Sequence, residues 1–199
     1  MTSTKHSDPH ARAERLEAAL REIERFGHHE GHGRGYTCAN TAAEALRELG
    51  LPDAGSRTRI WIDTEFNGYK GRLISIALVA ENGASWYEVL DHSDIVVDTW
   101  VGEHVIPHLI QQPISFEELQ ASMEDWLSQF RSVHLIADWP EDIQHFCETL
   151  ITGPGTRIQT PTLTMEVRRD LDGAHSHLPH NALADALANR EFMLAREGK

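Results

Sequence analysis

The stretch Ile60-Trp61-Ile62-Asp63-Thr64-Glu65-Phe66 constrains this chain more than any other. Isoleucine and aromatic side chains predict a strand. Side chains alternate across a strand, so Asp63 and Glu65 point to one face. Two carboxylates on one face of an apolar strand are costly to bury without a partner. A divalent cation is a natural partner, because hard cations take carboxylate oxygens. A solvent-exposed strand end carrying two acids explains the pair as well, and D-x-E alone is a common pattern.

The surrounding pattern fixes the fold class. RLISIALVA (72–80) and ASWYEVL (84–90) read as two further strands, with Asn82-Gly83 between them as a two-residue hairpin turn. Helices are predicted over 100–111 and 116–130, the second opened by a capping box of Ser115 and Glu118. A short buried strand at 133–137, a helix over 141–151, a weak strand at 157–160, an irregular loop and a helix over 181–196 complete the chain. Meandering strands followed by alternating helices and strands imply an α/β fold on a mixed sheet. The boundaries expected are a helical N-terminal extension over 1–55 and a catalytic-type domain over 57–197. The extension reads as two helices. The first covers about 10–26, with Leu16, Leu20, Ile23 and Phe26 at helical spacing. The second runs from a Thr41/Glu44 capping box to Gly50. Their apolar faces suit either a partner protein or packing against the rest of the chain. His28, His29, His32 and Cys38 are zinc-type ligands, but their spacing matches no zinc pattern, and the Gly-rich setting fits a loop.

Composition narrows the function. No stretch approaches the roughly 20 apolar residues of a membrane span, and the first residues lack the apolar core of a secretory signal, so a cytoplasmic location is expected. Cys38 and Cys147 are expected as reduced thiols. The net charge is −13, and residues 59–199 hold 10 basic and 22 acidic side chains. That counts against a broad non-specific nucleic-acid surface, which should be basic. It does not exclude a nuclease, because a carboxylate site is acidic until divalent metal loads it. The charge points to a small footprint, a chain end or a short oligonucleotide.

Two further patterns carry chemistry. In Ala137-Asp138-Trp139-Pro140-Glu141-Asp142 an apolar strand runs into an acidic turn and a helix, which is where ligands gather in α/β sheets. Asp138, Glu141 and Asp142 compete there, and helix-start acids favoured by the macrodipole account for at least one. In His180-Asn181-Ala182-Leu183-Ala184-Asp185 the imidazole and the carboxylate can face one cleft from two depths. An imidazole titrates near neutral pH and can take a proton from water. A surface histidine ahead of an amphipathic helix is the plainer account.

Taken in order on an α/β pattern, these features resemble the DEDDh exonucleases, the superfamily of ribonuclease T, oligoribonuclease and the proofreading subunit of bacterial replicases. The likeness extends to the small bacterial and phage exoribonucleases with a D-T-E-F first motif. A W-V-x-x-H-V-x-P-x-L stretch is matched by Trp100 to Leu109, and the resemblance covers roughly 59–195. It implies a ribonuclease H-like mixed sheet flanked by helices. The activity implied is a metal-dependent 3′→5′ exonuclease acting on the 3′ end of single-stranded RNA or DNA, with RNA favoured. Asp63 and Glu65 match the first motif, Asp142 the second, with Asp138 in reserve, and His180 and Asp185 the third. Asn181 speaks against the Tyr-x3-Asp variant. The implied mechanism uses two Mg²⁺ or Mn²⁺ ions about 3.5–4 Å apart, held by Asp63, Glu65, Asp142 and Asp185, with His180 deprotonating the attacking water. Phe66 and Asn67 are implied to contact the terminal nucleotide. Arg168 and Arg169 would meet a phosphate or lie in a solvated loop. His175 and His177 fit a lid over the site or plain loop residues, and Trp86, Trp100 and Trp139 fit packing. Dimers are frequent in the superfamily. A catalytically silent nucleic-acid-binding or partner-docking protein on the same fold is the alternative, and such a protein would be expected to have lost an acid or the histidine.

Overall fold

The computed structural model describes residues 57–171 and 176–198. The expected N-terminal helices, the Thr41/Glu44 capping box, the histidine-rich stretch, Cys38 and His175 lie outside the described residues. Strand β1 (Thr58–Phe66) pairs antiparallel with β2 (Leu73–Ala80), which pairs antiparallel with β3 (Ser85–Val89). On the other side β1 pairs parallel with β4 (Ser132–Ala137), and β4 pairs parallel with β7 (Thr162–Val167). The sheet order is β3-β2-β1-β4-β7. The result is a mixed five-stranded α/β sheet, in an order compatible with a ribonuclease H-like fold.

Helices cover both faces because β1 is apolar on both. Ile60 and Ile62 point to one side, where they join Leu119, Met123 and Leu127 of α2 (Phe116–Ser128) and Phe146 of α3 (Pro140–Leu150). Trp61 points to the other, against Ile136 and Met193 of α4 (Ala182–Glu197). Strand β2 is buried at all eight positions, so it reads as a continuous apolar run and does not alternate. Ala182 and Ala186 let α4 approach β2 and β3 closely, against Ala77, Val79 and Tyr87. Each fully buried large apolar side chain stabilises the fold by about 1.5–3 kcal/mol over exposure. Among the described residues no helix is long and apolar enough to cross a membrane.

Four local expectations need correction. The β2–β3 connection is a three-residue loop of Glu81, Asn82 and Gly83. Gly83 N–H bonds the Ala80 carbonyl, and φ is positive only at Gly83 (+90°). A two-residue type I′ turn needs positive φ at both centres, and Asn82 does not adopt it. The helix expected over 100–111 is α1 (Thr99–His104) followed by a 3₁₀ turn (Ile106–His108). Pro107 has no N–H and cannot continue the α-helical ladder. The weak strand at 157–160 falls instead on β6 (Thr156–Arg157), which forms a small hairpin with β5 (Ile151–Gly153). Strand β7, at the sheet edge, was not anticipated. The Ser115/Glu118 capping box is present, with bonds in both directions.

The position where α3 meets the sheet predicts a large packing loss. Phe146 is fully buried. Phe146→Ala is expected to cost about 3–5 kcal/mol in urea unfolding at unchanged slope. A loss below about 1 kcal/mol would show that the α3 face is not packed as described.

Candidate active site

Three elements deliver acids to one end of the sheet. Strand β1 carries Asp63 and Glu65 two and four residues beyond Trp61, on the α4 side. Its parallel neighbour β4 pairs Ile136 with Trp61, so Asp138 comes beside Asp63. Helix α4 brings Asp185 in its first turn, and α3 brings Asp142 in its own. One carboxylate oxygen from each of Asp63, Glu65 and Asp185 lies within 4.8 Å of the others, and the same holds for Asp63, Asp138 and Asp142. The two triads share Asp63. All donors are carboxylate oxygens, a set that fits hard divalent cations and not zinc-type nitrogen or sulfur chemistry.

Asp142 and Asp185 are held by defined partners. Asp142 reaches β1 from the opposite layer. Its Oδ1 accepts the Thr64 hydroxyl at 2.6 Å and the Thr64 N–H at 3.1 Å, and its Oδ2 accepts the Trp139 N–H at 3.3 Å. Asp185 accepts the His180 backbone N–H at 3.0 Å. Asn181 caps α4 by accepting the Ala184 N–H, and its amide donates to the His108 carbonyl at 2.9 Å. His180 itself sits in the left-handed region at φ 64°. Its ring meets Trp100 edge-on at 4.9 Å, and Trp100 stacks on His104 at 4.7 Å.

The crowding shows in the protonation equilibria. Burial, then the charges of Asp142, Glu65, Asp185 and Asp138, push Asp63 well above the usual carboxylate range. Burial and the charges of Asp185 and Asp142 push Glu65 up to about 8. Asp142 rises to about 7, because burial outweighs the hydrogen bonds that favour its charged form. Burial also raises Asp185. Without counter-charge, these groups resist ionising together.

The acids lie in an open cleft of about 560 Å³ whose wall also includes Phe66, Tyr69, Trp100, Trp139 and His180. Six of the seven residues expected for the site therefore meet there, and Asp138 joins Asp142 where the sequence left the two as alternatives. Asn67 does not line the cleft. Its side chain donates to the Val96 carbonyl at 2.9 Å and accepts the Asp98 N–H at 2.7 Å, which fastens the segment ahead of α1. Phe66 packs its ring against His145 at 5.0 Å while facing the cleft. Trp86 is a packing residue as expected, but Trp100 and Trp139 are 49% and 46% exposed on the cleft wall. Arg168 pairs with Asp170 and Glu166, whereas Arg169 stacks over Trp139. Thr64, the group that seats Asp142, carries no signal of that role in the sequence, although its place between the two acids puts it on the opposite face.

Fold and cleft define an α/β protein with a carboxylate-lined site suited to hard cations. No family model matches the chain. Two 3′-5′ exoribonucleases of Mycobacterium tuberculosis, one from strain CDC 1551 and one from strain H37Rv, are each 32% identical to it over 146 residues. The match covers 64% of this chain and 86% of each relative. The chain belongs to this 3′-5′ exonuclease family.

The raised acids set the pH response of the metal-free protein. Between about pH 4.5 and 8 the unfolded chain has released protons that folded Glu65 and Asp142 still hold. Stability therefore falls as pH rises through that window and levels off above it. Melting temperatures in EDTA should decline from pH 5 to 8, and Glu65→Gln with Asp142→Asn should flatten the decline. Equal slopes in parent and variant would place the linkage elsewhere.

Proposed function

We propose that the protein is a metal-dependent 3′→5′ exonuclease of the DEDDh type, acting on the 3′ end of single-stranded nucleic acid, with RNA favoured over DNA. The observation that carries this reading is the pair of oxygen triads sharing Asp63, with His180 on the wall of the same cleft. Membership of the exonuclease family supports it. The activity is assigned to residues 57–197, with 1–55 as a separate extension.

Divalent cations bound there, Mg²⁺ or Mn²⁺, supply phosphate charge neutralisation and Lewis-acid activation. Asp63, Glu65, Asp142 and Asp185 are the residues that would hold them, and Asp138 adds a fifth carboxylate. His180 accepts a proton from the attacking water on a ring nitrogen. Its backbone bond to Asp185 and its contact with Trp100 aim the ring into the cleft. The water oxygen bonds to phosphorus as the bond to the upstream 3′ oxygen breaks. The products are a 5′-mononucleotide and a strand shorter by one. Phe66 lines the space for the terminal nucleotide, and Asn67 acts on that space through Asp98.

The test is digestion of 5′-labelled single-stranded RNA and DNA of equal sequence with Mg²⁺, Mn²⁺ or EDTA. A metal-dependent ladder shortening from the 3′ end is expected. Asp63→Ala should abolish it, and His180→Ala should slow it by about 10²–10⁴-fold. Intact substrate in every metal lane, with oligonucleotide still bound, would make the protein a silent binder.

A further inference from the structure

The cleft wall carries a feature that hydrolysis at the acids does not use. Trp139 lies in the turn after β4 as the N-cap of α3, and it leaves nearly half its surface exposed beside Asp138. The indole is fixed from two directions. Its Nε1–H donates to Glu141 Oε2 at 2.8 Å, and the Arg169 guanidinium lies 4.4 Å from its ring centroid. Glu141 in turn accepts the Lys70 backbone N–H at 3.4 Å, tying the indole to the turn after β1. An exposed, immobilised aromatic ring loses little entropy when a planar group stacks on it.

Arg169 differs from the arginine next to it. Arg168 is neutralised by Asp170 at 2.9 Å and by Glu166. Arg169 meets no carboxylate among the described residues, and its stacking on Trp139 holds a positive charge at the rim of an acidic cleft. In a chain of net charge −13, this places a guanidinium on an exposed ring of the cleft wall. A stacking ring with a cation beside it is the arrangement by which single strands are held without sequence preference: bases stack and phosphates meet the charge.

We propose that Trp139 and Arg169 form a binding subsite for the single strand upstream of the scissile phosphate, Trp139 stacking on a base and Arg169 meeting a backbone phosphate. The proposal rests on the exonuclease reading for the identity of the strand. It assigns the pair to holding substrates longer than a dinucleotide, apart from the chemistry at the acids. Glu141 is a positioning residue, setting the plane of the indole.

The test compares a dinucleotide with a single-stranded RNA decamer on the full chain. Arg169→Ala should raise KM for the decamer by about five- to tenfold, with a much smaller change for the dinucleotide. It should also lower the slope of log binding constant against log salt for the decamer by about 0.7, one phosphate contact. Trp139→Ala should weaken decamer binding, and Trp139→Phe should restore most of it. Melting temperatures separate these effects from misfolding. Equal losses on both lengths, or an unchanged salt slope in Arg169→Ala, would overturn the proposal. If the parent protein cuts neither substrate, the exonuclease reading falls. The salt slope of decamer binding then decides the pair by itself.

Discussion

Carboxylates resist being gathered out of water, and this structure gathers five. Asp63, Glu65, Asp138, Asp142 and Asp185 converge at one end of the sheet, and burial with mutual repulsion lifts the protonation equilibria of four of them. That cost falls on a strand whose neighbours are almost wholly apolar. The core around Ile60, Ile62 and Trp61 supplies the stability that lets the end of the same strand be unfavourable. Strain of this kind is kept only where surrounding packing over-determines it, and β1 is paired on both sides with Ile60, Trp61 and Ile62 fully buried.

The alternation of β1 also explains how two helical layers serve one site. Asp63 and Glu65 lean toward α4, and Thr64 leans toward α3. The Thr64 hydroxyl and N–H both bind Asp142, so the acid from the opposite layer is seated by the residue between Asp63 and Glu65. A single tripeptide thus offers two carboxylates directly and locates a third. The bulge at Glu65 and Phe66 ends the regular pairing there and turns Phe66 toward His145.

Much of this was legible in the sequence, and the omissions have physical causes. The period of two placed Asp63 and Glu65 together, and the apolar runs marked β1 to β4, because both depend on neighbours within a few residues. Asp138 and Asp142 remained alternatives because the choice rests on the parallel register of β4 against β1, a long-range fact. Both acids reach the cleft, one from a strand end and one from a helix. Strand β7 carries no such signal, because an edge strand needs no buried run: Thr162–Val167 is partly buried at its four central positions, exposed at its ends and fully buried nowhere. The exposure of Trp100 and Trp139 was equally hidden, since an indole suits a core and a cleft wall alike. Asn67 was expected at the nucleotide by resemblance, and its amide is instead satisfied by Val96 and Asp98.

Helix α4 is fastened at three stations. Asn181 holds its start to the His108 carbonyl, Arg190 reaches the Ala80 and Glu81 carbonyls at mid-length, and Glu197 meets Arg59 near the far end. A rod tied at both ends and the middle can neither slide nor tilt against the sheet without breaking a charged or cap bond. It acts as a spar. Asp185 therefore keeps its depth in the cleft, and the spacing of that wall from β1 is set by anchors that lie as far as the opposite end of the helix.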